Sequence, residues 1–522
     1  MTEPDVRGDG GGVGGQLSGH ARVLQSLLVH PAWLIALGAV AAVVAFQFWI
    51  DPANPPGFIR DEASFSFNAY AISQDLHDQS GALLPLYLPS FGDYKSTPFV
   101  YLLAAVFRVT GPHAEVARGL AAFCVLAAVL LVGLLALRRT RSIAVAASVV
   151  VLDGLTPWLF ELGRVAYDTA LLPFFIALLL VSVEWALRSP RGALLRALPV
   201  AFALAGIAYG YAAGRLLAPL FAAALVVFAR RGRWRWLFAV WALFAIGLVR
   251  LGVYWSMHPG ALTARFDQTK FIQKGQGFWS ILGQTIENYF HDLNLWHWSV
   301  SGDPKPYIHT WGAAQLYGSA VALAVIGAIV VVRRRPADRF GLYVIALLLL
   351  APIPSALSED RFNALRLVAV PLLIVAVAIP GLELIFQTVR VSWLARVVAV
   401  AMIAAIGYQF ADFLHWYTYR GPARTQVFEA GVQPMLARAF AHGRTVYIDY
   451  DDHYAQTHAL WYAVSHGMSR SRISILPDGG IPPVGSILFY RFQTCDFACT
   501  EIERWNDYWL ARAKEPSAST AG

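Results

Sequence analysis

The stretch 116–158 reads VARGLAAFCVLAAVLLVGLLALRRTRSIAVAASVVVLDGLTPW. Two apolar runs, 116–137 and 142–158, flank the cluster Arg138-Arg139-Thr140-Arg141. A helix that crosses a bilayer needs ~17–25 mostly apolar residues, and both runs meet that length. Excess arginine in a short connection marks the cytoplasmic side. The stretch therefore predicts two antiparallel spans joined on the inner face of a membrane.

The remaining sequence repeats this pattern. The further candidate spans are 32–50, 169–187, 197–213, 215–229, 237–257, 312–332, 340–357, 367–387 and 397–415, which makes about eleven in all. Every second connection carries arginines: Arg188/Arg191/Arg196, Arg230/Arg231/Arg233/Arg235, Arg333/Arg334/Arg335/Arg339 and Arg390/Arg396, with Asp338 the single acid among them. The apolar stretch 98–110 ends in Arg108 and is short for a span. Reading it as a helix at the interface preserves the alternation of basic connections. The net charge of +8 is then a topology signal and requires no nucleic acid.

Composition agrees. The 522 residues are 57% hydrophobic and only 14% charged, with a mean hydropathy of +0.52. Soluble chains carry about 25% charged residues. These values exclude a cytosolic enzyme, a disordered regulator and a small secreted scaffold. Residues 1–31 are glycine-rich and polar, contain no secretory signal pattern, and read as a disordered cytoplasmic tail. Residues 32–415 read as the membrane domain, and 416–522 as a more polar outer domain.

Three pieces fall on the outer side: 51–115, 258–311 and the C-terminal domain. In that domain Thr445–Asp449, Arg472–Leu476 and Ser486–Tyr490 predict strands, and segments near 424–441, 454–466 and 500–513 predict helices, giving a small α/β unit. Its run Asp449-Tyr450-Asp451-Asp452-His453 reads as a solvated turn in preference to a metal site. Cys495 and Cys499 are spaced for a disulfide in an oxidising compartment, or stand as two thiols. Cys124 lies in a span. In the loop 258–311 the aromatic stretch Phe278 to Trp298 suits an interfacial helix, and His291, His297 and His309 are too irregular for a metal site.

The outer loops also hold the candidate chemistry. Asp61 and Glu62 follow the first span and open a helical pattern, so they are either a helix start favoured by the helix dipole or a general base. Lys95 precedes the stretch 98–110, where an ammonium either snorkels or holds a lipid phosphate. Glu161, Arg164 and Asp168 lie at helical spacing in the short connection between two spans, and Arg366 lies past another span.

This order of motifs is Asp-Glu after a span, Lys-x-x-Pro before an interfacial helix, Ala117-Arg118 at the next span, and Arg164-x-x-x-Asp168. Together with Tyr209-x-Tyr211, Arg215, His258-Pro259, Arg265, Gly302-Asp303-Pro304, Ile353-Pro354-Ser355 and Leu365-Arg366, it resembles the GT-C membrane glycosyltransferases of the protein mannosyltransferase and aminoarabinose transferase group (families 39 and 83). The resemblance covers roughly residues 32–415. It implies a GT-C fold and an inverting transfer of a hexose or pentose from a polyprenyl-phosphate donor to a hydroxyl of a lipid, glycan or protein. It further implies an outer-face site in a bacterial-type plasma membrane. Asp61 matches the general base, with Glu62 beside it. Asp168 matches the second acid, which orients the acceptor or binds a divalent metal where one is used. Lys95, Arg164 and Arg366 match donor-phosphate ligands. The sequence departs from the pattern at Ser96-Thr97-Pro98, where many relatives have Lys-Pro-Pro. The competing class is a transporter or lipid-linked sugar flippase, which predicts charges at span centres and inverted repeats. Here the charges gather in the outer loops instead.

Overall fold

A computed structural model describes residues 31–49, 51, 53–188, 192–334, 337–443, 445–477, 480–491 and 499–515. The chain begins with α1 (Pro31–Gln47), then leaves the helical bundle for α2 (Arg60–Asp75), the hairpin β1 (Tyr87–Ser90) and β2 (Asp93–Ser96), and α3 (Pro98–Thr110). The bundle resumes with α4 (Ala114–Thr140), α5 (Ile143–Gly154), the short α6 (Pro157–Leu162), α7 (Leu171–Leu187), α8 (Ala193–Gly210), α9 (Gly214–Ala224) and α10 (Trp234–Met257). Two helices, α11 (Ala264–Thr269) and α12 (Phe278–Asp292), precede α13 (Gly318–Arg333), α14 (Arg339–Leu350), α15 (Ile353–Ala356), α16 (Ala369–Thr388) and α17 (Trp393–Arg420).

Each expected span coincides with an apolar helix. Among the described residues seven are long and apolar enough to cross a membrane, by length and composition. α1, α5, α13 and the helix Gly214–Phe228 are shorter apolar segments. Of the expected tail 1–31, residues 1–30 lie outside the described residues and Pro31 begins α1. The basic connection between α4 and α5 folds as a tight turn. Arg141 closes α4 at φ 55°, and the Ser142 side chain accepts from the Val145 amide at 3.3 Å to cap α5. At the centre of the bundle α13 and α16 approach closely. A Cβ on Gly327 would lie 2.0 Å from the Val377 carbonyl oxygen, so only glycine allows this contact.

The stretch 98–110 forms α3. Pro98 occupies its first turn, and Phe99, Val100, Leu103, Ala104 and Phe107 make one buried stripe, while Leu102 and Val109 stay exposed. The buried stripe belongs to the same core as α2.

The C-terminal domain contains α18 (Val432–His442), β3 (Val446–Ile448), α19 (His453–Ser465), β4 (Ile473–Ile475), β5 (Ile487–Arg491), β6 (Cys499–Trp505) and β7 (Tyr508–Ala513). Its sheet has the order β4-β3-β5-β7-β6, parallel at β3–β4 and β3–β5 and antiparallel at β5–β7 and β6–β7. The expected helix 500–513 is instead the β6–β7 hairpin. Asn506 turns the chain at φ 50°, and aromatic residues flank the turn in the cross-strand pairs Trp505–Tyr508 and Arg504–Trp509. The expected helix near 424–441 begins only at Val432. Cys499 is disulfide-bonded, and its expected partner Cys495 lies outside the described residues.

The domain is fastened to the first outer loop. Gly57 adopts φ +91°, and a Cβ there would lie 2.4 Å from the Phe428 carbonyl oxygen. Glu429 takes the Arg60 amide at 2.7 Å and its guanidinium at 3.0 Å, and also meets His458 at 2.9 Å and the Tyr508 hydroxyl at 3.2 Å. A second buried tie joins Arg424 to Glu161 at 2.6 Å and to the Asn54 side chain at 2.8 Å.

Candidate active site

A cavity of about 480 Å³ opens where α2, the β1–β2 hairpin, the start of α7, the start of α9, α11 and the segment after α15 converge. It is lined by Asp61, Asp93, Lys95, Tyr167, Asp168, Tyr211, Arg215, Arg265, Asn363 and Arg366, among others. Residues far apart in the chain thus meet in one site.

The acidic side is built by two local structures. Asp61 and Glu62 lie in the first turn of α2, where carboxylates favour the helix dipole. Adjacent helical residues point about 100° apart, so the two acids face different surroundings. Glu62 is fully buried and faces away from the cavity. Its carboxylate accepts two bonds from Arg118 at 2.8 Å each, one from the Ala166 amide at 3.0 Å and one from the Ile59 amide at 3.2 Å. With four donors, it is a structural anchor and leaves no room for the catalytic part expected of it. Asp61 faces the cavity.

Lys95 is delivered by the hairpin. Phe91 and Gly92 both take positive φ (53° and 74°), the pattern of a two-residue hairpin turn. Lys95 Nζ stands 3.0 Å from Asp61 and 3.9 Å from Asp93. The Tyr167 hydroxyl donates to Asp61 Oδ2 at 3.5 Å. Burial works to raise the Asp61 carboxyl, but the Lys95 charge and hydrogen bond, with Arg60 and Arg265, outweigh it and hold the acid below its ordinary range. Burial likewise works against the Lys95 charge, and the surrounding Asp61, Asp93 and Asp168 overcome it, so the ammonium is held firmly protonated. Asp168, at the start of the α7 segment, lines the same space.

The other side is cationic and incomplete. The Arg215 guanidinium lies 4.6 Å above the Tyr87 ring and donates to the Leu262 carbonyl at 2.5 Å. Its Nε and Nη2 are buried without a hydrogen-bond partner. Arg366, 8% exposed, stands 3.5 Å from Asp360, and its Nη1 is likewise buried without one. Unpaired buried guanidinium donors are costly, and an anion in the cavity would satisfy them. The lining holds four cations (Lys95, Arg215, Arg265, Arg366) against three acids (Asp61, Asp93, Asp168).

Arg164 is not part of this site. It donates to the Phe46 and Gln47 carbonyls at 2.9 and 2.8 Å, closing the end of α1, and its guanidinium lies 4.3 Å over the Phe160 ring. The expectation of a phosphate ligand there is corrected by this geometry. Arg215 and Arg265 line the cavity instead, and both carry a sequence signal in the motifs after Tyr211 and after His258-Pro259. A divalent metal does not fit either. Among the described residues no group of three or more His, Cys, Asp or Glu could hold one, and the Lys95 ammonium fills the space beside Asp61 and Asp93. In the run 449–453, Asp452 caps α19 by accepting from the Ala455 amide at 3.0 Å.

No family model matches the chain, and no curated protein matches it. Solved structures do. The chain is similar to ArnT from Cupriavidus metallidurans bound to undecaprenyl phosphate, with a TM-score of 0.56, 12% identity, and coverage of 92% of this chain and 97% of that one. The apo form of the same protein gives a TM-score of 0.56 at 13% identity with the same coverage. The chain has the GT-C fold.

Proposed function

We propose that the protein is a membrane glycosyltransferase that moves a sugar from a polyprenyl-phosphate donor to an acceptor hydroxyl, with inversion at the anomeric carbon. The observation that carries this reading is the pairing, in one cavity, of an ionised carboxylate with two guanidinium groups that each keep at least one buried donor nitrogen without a hydrogen-bond partner. Sugar transfer from a lipid phosphate needs a base on one side of the anomeric carbon and charge stabilisation of the leaving phosphate on the other. The similarity to a structure of ArnT bound to undecaprenyl phosphate supports a lipid phosphate as the anion.

In this mechanism Arg215 and Arg366 hold the donor phosphate, and Lys95 is shared between phosphate and Asp61. An arriving phosphate competes for the Lys95 ammonium. As Lys95 shifts toward it, Asp61 loses the charge that depresses its basicity, so the base becomes strongest when the donor is loaded. The acceptor oxygen then bonds to the anomeric carbon as its proton passes to Asp61. The bond from that carbon to the phosphate oxygen breaks, and the electron pair leaves on the phosphate, where the guanidinium donors stabilise it. Asp168 lines the same cavity and orients the acceptor. The site sits at the helix ends opposite the arginine clusters, and the excess of arginine in those connections supports an extracytoplasmic site in a plasma membrane.

Binding of radiolabelled polyprenyl phosphate to the purified protein tests the phosphate site. Loss of a charged hydrogen bond in each of Arg215→Gln and Arg366→Gln is expected to weaken retention about 10- to 100-fold. Retention equal to wild type in both variants would remove the basis of the reading.

A further inference from the structure

The face opposite the active site carries a second cavity, of about 470 Å³. Three of the basic connections meet there: Arg139 from the end of α4, Arg230 and Arg233 before α10, and Arg334 and Arg339 around the start of α14. Orientation in a membrane requires basic residues in these loops, but it does not require them to converge on one hollow.

Four of the five arginines are held by hydrogen bonds or ion pairs. Arg233 donates to the Ala186 carbonyl at 3.1 Å and the Leu187 carbonyl at 2.6 Å, and Arg339 to the Val227 carbonyl at 2.9 Å. Carbonyl groups fix a guanidinium without cancelling its charge. Asp338 is the one acid in the lining, and it is engaged by Arg139 at 2.8 Å and by the Gly341 amide at 3.0 Å. Arg334 reaches Glu383 at 3.1 Å, outside the lining. Among the described residues five arginines line the hollow, two of them paired with Asp338 and Glu383, so an excess of positive charge remains that an anion would relieve.

The cavity lies at the ends of apolar helices. Beside it Val226 and Trp234 are 54% and 43% exposed, as suits acyl chains and an interfacial indole. We propose that this hollow is a binding site for the phosphate headgroup of an anionic membrane phospholipid, with a diphosphate headgroup of the cardiolipin type fitting best. Basic pockets between membrane helices on the cytoplasmic side recognise such headgroups. The site is independent of the transferase reading.

The test uses the full-length protein in detergent, with cardiolipin, phosphatidylcholine and inorganic phosphate as probes and native mass spectrometry to count retained lipid. Cardiolipin is expected to be retained in preference to phosphatidylcholine and to resist millimolar phosphate. The variant Arg230→Gln/Arg334→Gln should bind it about 25-fold more weakly, about fivefold per arginine. The control Arg231→Gln/Arg235→Gln removes the same charge from exposed neighbours outside the lining and should stay within about twofold of wild type. Arg230→Gln alone alters only an exposed side chain, and decides the matter at about fivefold if the double variant unfolds in lipid-free detergent. Equal losses in lining and control variants, equal retention of phosphatidylcholine, or displacement by inorganic phosphate would each overturn the proposal.

Discussion

Asp61 and Glu62 are one residue apart, yet one lines the cavity and the other anchors the fold. The difference is legible only in part from the sequence. An acidic pair opening a helix is visible, but which acid meets Arg118 depends on the rotation of α2 against α4. Glu62→Gln is therefore expected to break a buried pair and cost about 3–5 kcal/mol in stability, read as a lowered unfolding temperature. Transfer per folded molecule should stay near wild type. Lys95 makes the complementary prediction. Its charge holds the Asp61 carboxyl below the ordinary range. Asp61 must be ionised to take a proton, so transfer falls as pH drops through its pKa. In Lys95→Gln burial dominates, that pKa rises, and the acid limb of the rate profile should move to higher pH. An acid limb unmoved by the substitution would separate Lys95 from Asp61.

At the level of elements, hydropathy was a sufficient guide where lipid is the solvent, because each backbone group there must be satisfied within its own helix. The helices α4, α7, α8, α10 and α16 follow directly from their apolar runs. The C-terminal domain was harder to read, because water on its surface permits both periods. Residues 500–513 mix charged and apolar side chains without a clear period on either side of Asn506, and cross-strand pairing with β5 decides for a hairpin over a helix. Nor does the sequence reveal that this domain grips the first outer loop. Glu429 couples the two. Burial works to raise its carboxyl, but the His458 hydrogen bond and charge, then Arg60, bring it down to about 2. A depressed carboxyl stabilises the fold above its unfolded pKa of 4.5 and loses that contribution as pH falls toward about 2. Limited proteolysis of the segment 421–431 should thus accelerate between those values. Glu429→Gln should show the faster cleavage already at neutral pH, and a pH-independent cleavage rate in wild type would contradict the coupling.

For the whole molecule, the arginine clusters and the active-site cavity lie on opposite faces of one bundle. Such a division suits an enzyme that meets its lipid donor in the bilayer and reacts at one surface. The cations of the cavity come from four separate stretches, around residues 95, 215, 265 and 366. Their shared destination is fixed by the packing of the β1–β2 hairpin, α9, α11 and the segment after α15, which is why the site could be assembled from the sequence only through the order of its motifs. A transporter with the same span count would move its cargo intact. Proteoliposomes containing the purified protein, a doubly labelled polyprenyl-phosphate sugar and a membrane extract as acceptor distinguish the two. The account predicts that wild-type protein breaks the bond between sugar and phosphate and moves the sugar label to acceptor. Asp61→Asn should bind donor normally but transfer about 10²–10⁴-fold more slowly. Donor that crosses the bilayer with both labels still joined, or an Asp61→Asn variant that transfers at the wild-type rate, would contradict it.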